Sequence, residues 1–188
     1  DGGERSRAAG VLLDAFGWWF RARDGNGNGL LEYGSSPVGD GHFVHTRQAA
    51  MDESANDNSP VHDEARFDLA AHTLDVEDVG LNSLLVHEGE LLAGMLEEDG
   101  RGQDVRRVTD RAAALAEAVR TRLWDPDREV FAGRHWDGRF TRSLAPTSFY
   151  PLLAGIATRA QAEAMVRRWL SDGRFGGSWP VAGTPHDD

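Results

Sequence analysis

The chain has 188 residues, no cysteine and a formal net charge of −11. That length holds one domain with a real core, and the absence of thiols excludes disulfides and thiolate metal sites. All 20 basic residues are arginine, and the acidic excess runs along the chain without a basic stripe, which argues against nucleic acid and anionic membrane as partners.

No run approaches 18 apolar residues, so no membrane-spanning helix is expected. The chain opens on Asp1 rather than Met and closes at Asp188 without a clear stop signal. It therefore reads as part of a longer polypeptide, covering residues 1–188 of a larger domain.

In chain order, residues 4–22 read as a helix, with Val11, Leu12, Ala15, Phe16, Trp19 and Phe20 at three- and four-residue steps. The glycines at 25, 27 and 29 end it. Residues 30–63 read as a long irregular segment whose polar clusters point to function. A short helix is expected to start over 64–74, and a longer one runs from Asp78 to Leu96 on Leu81, Leu84, Leu85, Leu92 and Met95. Asp104 to Leu123 is a further helix, with Ala112, Leu115, Ala116, Val119 and Leu123 on its core face. Glu129–Ala132 and Arg139–Thr141 flank Trp136-Asp137-Gly138, which is a hairpin signal. Ser148–Ala157 and Ala160–Leu170 complete a count of about six helices. Strands are minor, so the class is all-α, and no fixed repeat period is present.

Two polar stretches stand out. The first is Arg23-Asp24-Gly25-Asn26-Gly27-Asn28-Gly29-Leu30-Leu31-Glu32-Tyr33-Gly34. Asp24, Asn26 and Asn28 alternate, the glycines permit sharp turns, and a hard cation is wrapped by oxygens at positions one, three and five with a carbonyl near seven. That pattern gives Asp24, Asn26, Asn28, the Leu30 carbonyl and Glu32 as calcium candidates. Position twelve is Ser35, so this is not an EF-hand, and a further acidic ligand is needed. The alternative is a Gly-Asn turn that holds no metal.

The second stretch is Glu53-Ser54-Ala55-Asn56-Asp57-Asn58-Ser59-Pro60. Asn, Ser and Pro favour turns, so carboxyl groups here ride on a shaped loop, where catalytic groups are common. Histidines 42, 45, 62 and 72 are not spaced as zinc ligands on a helix. No Gly-x-Ser-x-Gly elbow or phosphate loop occurs.

Together, and in this order, the two stretches resemble the family-63 glycoside hydrolases. Those enzymes carry an Arg-Asp-x-x-Gly-x-Gly-Leu-x-Glu-Tyr-Gly-like segment and then a Glu-Ser-Gly-x-Asp-Asn-Ser-Pro-like one. Asp78–Leu85 and Phe149–Gly155 resemble the family more weakly. The resemblance implies an (α/α)6 toroid, of which about six helices make half, with a minor β-hairpin. It implies an inverting, exo-acting α-glycosidase for glucosidic or mannosidic bonds, with carbohydrate as the partner and Asp57 as the general acid. Glu53 is then expected to contact sugar hydroxyls or orient Asn58. Asn58 bonds substrate hydroxyls or caps the turn, and His62 borders the pocket. Trp18 and Trp19 are adjacent, so one of them faces the pocket unless both pack in the core, the favoured reading for either. Calcium is implied in the first loop with one distant acidic ligand, for which Glu88 is the candidate.

Two departures matter. Ala55 stands where the family has Gly, costing on the order of 1 kcal/mol if φ is positive there. The family's base, a later Glu beyond a Tyr-Trp-Arg-Gly-Pro-like segment, is absent, so these 188 residues alone are expected not to turn over substrate. The competing readings are a trehalase-like toroid hydrolase or a phosphorylase, and a carbohydrate-binding or structural helical domain without catalysis.

Overall fold

The computed structural model describes residues 2–36, 44–56, 58–170, 174–177 and 181–185. Helix α1 (Gly2–Ala22) forms as its periodicity expects, burying Ala9 and Phe16 and packing Leu13, Trp19 and Phe20 against the core. Val11 and Leu12, expected on that face, are exposed.

The described residues within 30–63 hold strand β1 (Glu32–Gly34), helix α2 (Arg47–Glu53) and a 3-10 turn at Pro60–His62, regular elements that the composition does not suggest. Thr46 starts α2, its Oγ1 accepting from the Ala49 N–H at 3.1 Å.

No helix forms at 64–74. Strands β2 (Phe67–Asp68) and β3 (Thr73–Glu77) form instead, joined by a tight turn. Asp68 decides this, because its Oδ1 accepts from the N–H groups of Ala70 and Ala71, both at 2.8 Å, and fixes an Asx turn. The Ala pair suggests helix, but the local carboxylate bond and the β-branched Thr73 and Val76 favour the strand.

Strand β3 is the centre of an antiparallel sheet. It pairs with β1 through Glu32–Glu77 and Gly34–Thr73, with β2 through Thr73 and Leu74, and with strand β6 (Arg134–His135) through Val76 and Glu77. A second pair joins strands β4 (Trp124–Asp125) and β5 (Val130–Phe131). The Asp-Gly turn is present, but its arms are 133–135 and 139–141 rather than 129–132 and 139–141. His135 N bonds Arg139 O, and Gly138 has φ 92. Asp125 draws 129–132 away by accepting from the N–H groups of Asp127 and Arg128, which closes the β4–β5 turn.

Helices α3 (Val79–Glu98) and α4 (Gly102–Arg122) form a hairpin around Gly100, whose φ is 70. Gly89 lets them close, since a Cβ there would lie 3.0 Å from Ala112 Cβ and 3.2 Å from the Phe16 ring. The helix expected over 148–157 is shorter. A 3-10 turn (Pro146–Phe149) leads into α5 (Tyr150–Leu153), and Gly155 ends it at φ 63. Helix α6 (Arg159–Trp169) starts in a Thr158–Gln161 capping box.

Six α-helices dominate the described residues, so the all-α expectation holds in outline. The single minor hairpin it allowed becomes six short strands. Leu30, Leu31, Leu74, Leu85, Leu96, Leu115, Leu123 and Phe131 are fully buried in one cluster that joins helices to sheet. No helix among the described residues is long and apolar enough to cross a membrane.

Candidate active site

The glycine-rich loop folds on its own side chains. Asp24 follows α1 and accepts from the N–H groups of Asn28 and Gly29, while Asn26 Oδ1 accepts from Asn28 N. Asn28 Oδ1 accepts from Leu30 N, so each short side chain sets the next turn. Glu32 on β1 is fully buried and takes the Gly25 N–H at 2.8 Å and the Trp136 Nε1–H at 3.0 Å. Burial pushes its carboxyl up to about 8, with Glu77 and Asp24 adding to the rise and those two donors opposing it.

Glu77, at the end of β3, is the carboxylate this loop meets. Asn26 and Asn28 donate their amide N–H groups to Glu77 Oε1, and Arg122 reaches the same oxygen at 3.2 Å. Glu77 Oε2 is buried without a partner. Glu88, the sequence candidate for the distant acid, is exposed on α3. Asn82 holds the loop's far end. Its amide donates to Leu31 O at 2.8 Å and accepts from Leu31 N at 2.9 Å, as a neighbouring strand would.

Arg23 joins the two polar stretches. Its Nε donates to Glu53 Oε2 at 2.7 Å, and Nη2 donates to Glu53 Oε1 and to Ser36 Oγ. Gly34 N–H adds a third donor to Glu53 at 2.8 Å. The Arg23 side chain is 3% exposed and that of Glu53 23%. Trp18 lies under the guanidinium, 4.7 Å from ring centroid to Cζ. These contacts give both Glu53 and Trp18 structural partners. Glu53 anchors α2 to α1 and β1 with both its oxygens, and Trp18 supports Arg23. Trp19 packs on the core.

Behind the second polar stretch lies another buried set. Ser54 Oγ donates to Met51 O, accepts from Asn56 N at 3.0 Å and lies 3.1 Å from His62 Nε2. His62 is 2% exposed, so it supports this loop from beneath rather than bordering a pocket. Arg47 fixes the turn by donating to the carbonyls of His62 and Ala65. Burial holds the His62 imidazole below its ordinary value, with Arg47 lowering it further and Asp78 and Asp63 opposing. Burial pushes Asp78 up against the pull of His62 and the Leu81 and Gly80 N–H groups.

A pH dependence follows. Because the folded imidazole resists protonation, the unfolded chain takes up a proton below about pH 6.5 that the native chain refuses. This part of the stability is complete above that pH and is lost as pH falls through the lowered folded value. Urea melts at pH 7.5 and 5.5 should show the wild type losing more stability than His62→Gln. An equal loss in both would contradict the assignment.

Ala55 has φ 55, the left-handed region in which Gly is free and Ala strained. Asp57 lies outside the described residues, as do His42 and Phe43. Its neighbours Asn56, Asn58, Ser59 and Pro60 line a groove of about 730 Å³. Ala145, Pro146 and the stretch 182–185 line the rest. Asn58 is exposed in it. Trp18, Trp19, Glu53 and His62 are not among its walls.

Residues 6–188 match the family described as the mannosylglycerate hydrolase MGH1-like glycoside hydrolase domain. The chain belongs to that family. This MGH1-like chain is similar in structure to an uncharacterized conserved protein from Thermus thermophilus, with a TM-score of 0.65 and 18% identity over 98% of this chain and 51% of that one. It is similar to the GH63 mannosylglycerate hydrolase from the same organism, at TM-score 0.64 and 19% identity over 95% and 49%. Neutral trehalase Nth1 from Saccharomyces cerevisiae gives 0.59 and 21% over 75% and 26%. At these identities the likenesses carry the fold. The MGH1-like chain spans about half the length of the two Thermus chains. No curated protein sequence matches it significantly.

Reasoning from sequence misses Arg23, Glu77, Asn82 and Ser54 as organisers of this MGH1-like site. A signal exists for three of them. Arg23 opens the first motif, Ser54 sits inside the second, and Asn82 lies in the weaker Asp78–Leu85 segment. Glu77 carries none, because its role depends on where β3 ends.

Proposed function

We propose that the polypeptide carrying these residues is an inverting, exo-acting α-glycosidase. Its targets are α-glucosidic or α-mannosidic bonds in small glycosides such as mannosylglycerate. The observation that carries this reading is the groove, one wall of which is built from the residues flanking Asp57. Its volume falls within the roughly 300–1,000 Å³ of small-molecule sites. The family match over residues 6–188 supplies the reaction class.

In this reading Asp57 protonates the leaving glycosidic oxygen. The base, a Glu further along the polypeptide, activates water on the opposite face of the sugar, about 6.5–9.5 Å from the acid. The helices here form part of an (α/α)6 toroid. Arg23–Glu53 and Ser54–His62 hold the acid loop from behind, leaving Asn58 toward the sugar. The test is a panel of α-glucosides, α-mannosides, mannosylglycerate and trehalose, given to the complete polypeptide and to its Asp57→Asn variant. Hydrolysis of at least one substrate, lost in the variant, supports the reading. Preference for trehalose would move it to the trehalase-like alternative.

We also propose calcium in the first loop. Among the described residues no three His, Asp or Glu side chains stand close enough to hold a metal, so an ion here would have to draw the loop's carboxylates closer together than they stand, with amide and carbonyl oxygens completing its shell. The donor types suit a hard cation, and Glu77, whose Oε1 the loop's two Asn amides meet, has a buried second oxygen without a partner. Asp24, Asn26, Asn28, the Leu30 carbonyl, Glu32 and Glu77 would hold the ion, with both Asn side chains turning their oxygens inward. The ion would rigidify the loop. Equilibrium dialysis of the chain should find one calcium, lost in Glu77→Gln. Equal uptake by both proteins would remove Glu77 from the set.

A further inference from the structure

His45 and His72 stand on separate supports and meet ring to ring. His45 precedes the cap of α2 and donates its N–H to Ser35 Oγ at 3.1 Å. His72 closes the Asp68 turn, donating to Asp68 O at 2.9 Å and accepting the Ser35 N–H at 2.9 Å. Both residues have φ 60, a left-handed conformation that few non-glycine residues adopt and that the surrounding structure must sustain. Both rings are half-buried, so solutes reach them.

The Nδ1 atoms lie 3.1 Å apart, with ring centroids at 4.9 Å and a tilt of 55°. Two bare imidazole nitrogens repel, so a positive group belongs between them, either a proton on one ring or a metal ion shared by both. The ring positions separate these cases. A straight N–H···N bond would put the centroids about 5.4 Å apart, whereas two rings aimed at one ion about 2.1 Å from each nitrogen would put them about 4.8 Å apart. The observed 4.9 Å is the separation that convergence on a shared ion gives and that only a bent N–H···N bond would reproduce. The same distances set an angle of about 95° at the ion, which suits square-planar or octahedral centres better than tetrahedral zinc.

We propose that His45 and His72 chelate a late first-row divalent ion such as Cu(II) or Ni(II) through their Nδ1 atoms. Among the described residues no third His, Asp or Glu joins them, so solvent completes the shell. The ion ties the turn before α2 to the turn before β3. It thereby braces the helix that carries Glu53, whatever reaction the complete polypeptide catalyses.

The experiment uses the tag-free 188-residue chain and Cu(II), followed by calorimetry and electron paramagnetic resonance. One equivalent should bind tightly, with a two-nitrogen signature and a raised melting temperature. His45→Gln and His72→Gln should each weaken binding at least tenfold, since even residues that only orient ligands cost about 10- to 100-fold. His87→Gln should change nothing. Substoichiometric Cu(II) added to the wild type should broaden the ring resonances of His45 and His72 before those of His87, a readout that survives if a variant misfolds. Unchanged affinity in either folded variant, or no selective broadening of His45 and His72, overturns the proposal.

Discussion

Glu53→Ala should cost this chain about 3 kcal/mol of stability, measured by urea unfolding at pH 7. Removing one partner of a buried ion pair leaves the other charge without compensation, at about 3–5 kcal/mol. The lower end applies because Arg23 keeps three other contacts, with the Ala22 carbonyl, the Ser36 hydroxyl and the Trp18 ring. Arg23→Ala should cost less. The Glu53 side chain it strands is 23% exposed and keeps the Gly34 N–H. The double variant should be less destabilised than the sum of the two, because the pair acts as a unit. Losses below about 1 kcal/mol in both single variants would mean the pair behaves like an exposed surface bridge, and the joining of the two motifs would lose its energetic basis.

Asp57→Asn should lower kcat of the complete polypeptide by about 10²–10⁴-fold, the usual contribution of a positioned general acid. KM should change little, because Asn keeps the shape and most of the hydrogen bonding of the carboxyl group. The distinctive readout is the leaving group. Substrates whose aglycone departs without protonation, such as activated aryl glycosides, should lose much less than sugars with poor leaving groups. A uniform loss across both kinds of substrate would make Asp57 a residue that shapes the loop. The alternatives on this loop are already narrowed. Glu53 is held by Arg23 and Gly34, and His62 is buried beneath Ser54.

Helices α1, α3, α4 and α6 are readable in the sequence because three- and four-residue spacing of apolar side chains follows directly from helix geometry. The helix expected at 64–74 shows the limit. Ala70 and Ala71 have high helix propensity, but one carboxylate, Asp68, supplies their N–H bonds locally and β3 finds partners on both sides. Tertiary pairing overrides propensity in such short segments. The motifs single out this part of the chain, and the long-range contacts within it are what they do not show. The sequence places Glu53 near Asn58 or the sugar, His62 at a pocket edge and Trp18 in the core or the pocket, whereas in the structure Glu53 and Trp18 meet Arg23 and His62 meets Ser54. A carboxylate beside a sugar and one beside a buried guanidinium look alike in sequence. Only the long-range contact, 30 residues away in the chain, separates them. Glu88 suits the distant acid by its order in the chain alone, but Glu77, eleven residues earlier by numbering, is where β3 delivers a carboxylate.

The measurement that bears most directly on the central claim is the anomeric configuration of the first product. Proton NMR of the complete polypeptide acting on its best α-glycoside should show the β-anomer before mutarotation, with no such signal from Asp57→Asn. Early α-anomer would mean retention through a covalent intermediate, and it would contradict the assignment of this chain's Asp57 as the acid of an inverting glycosidase.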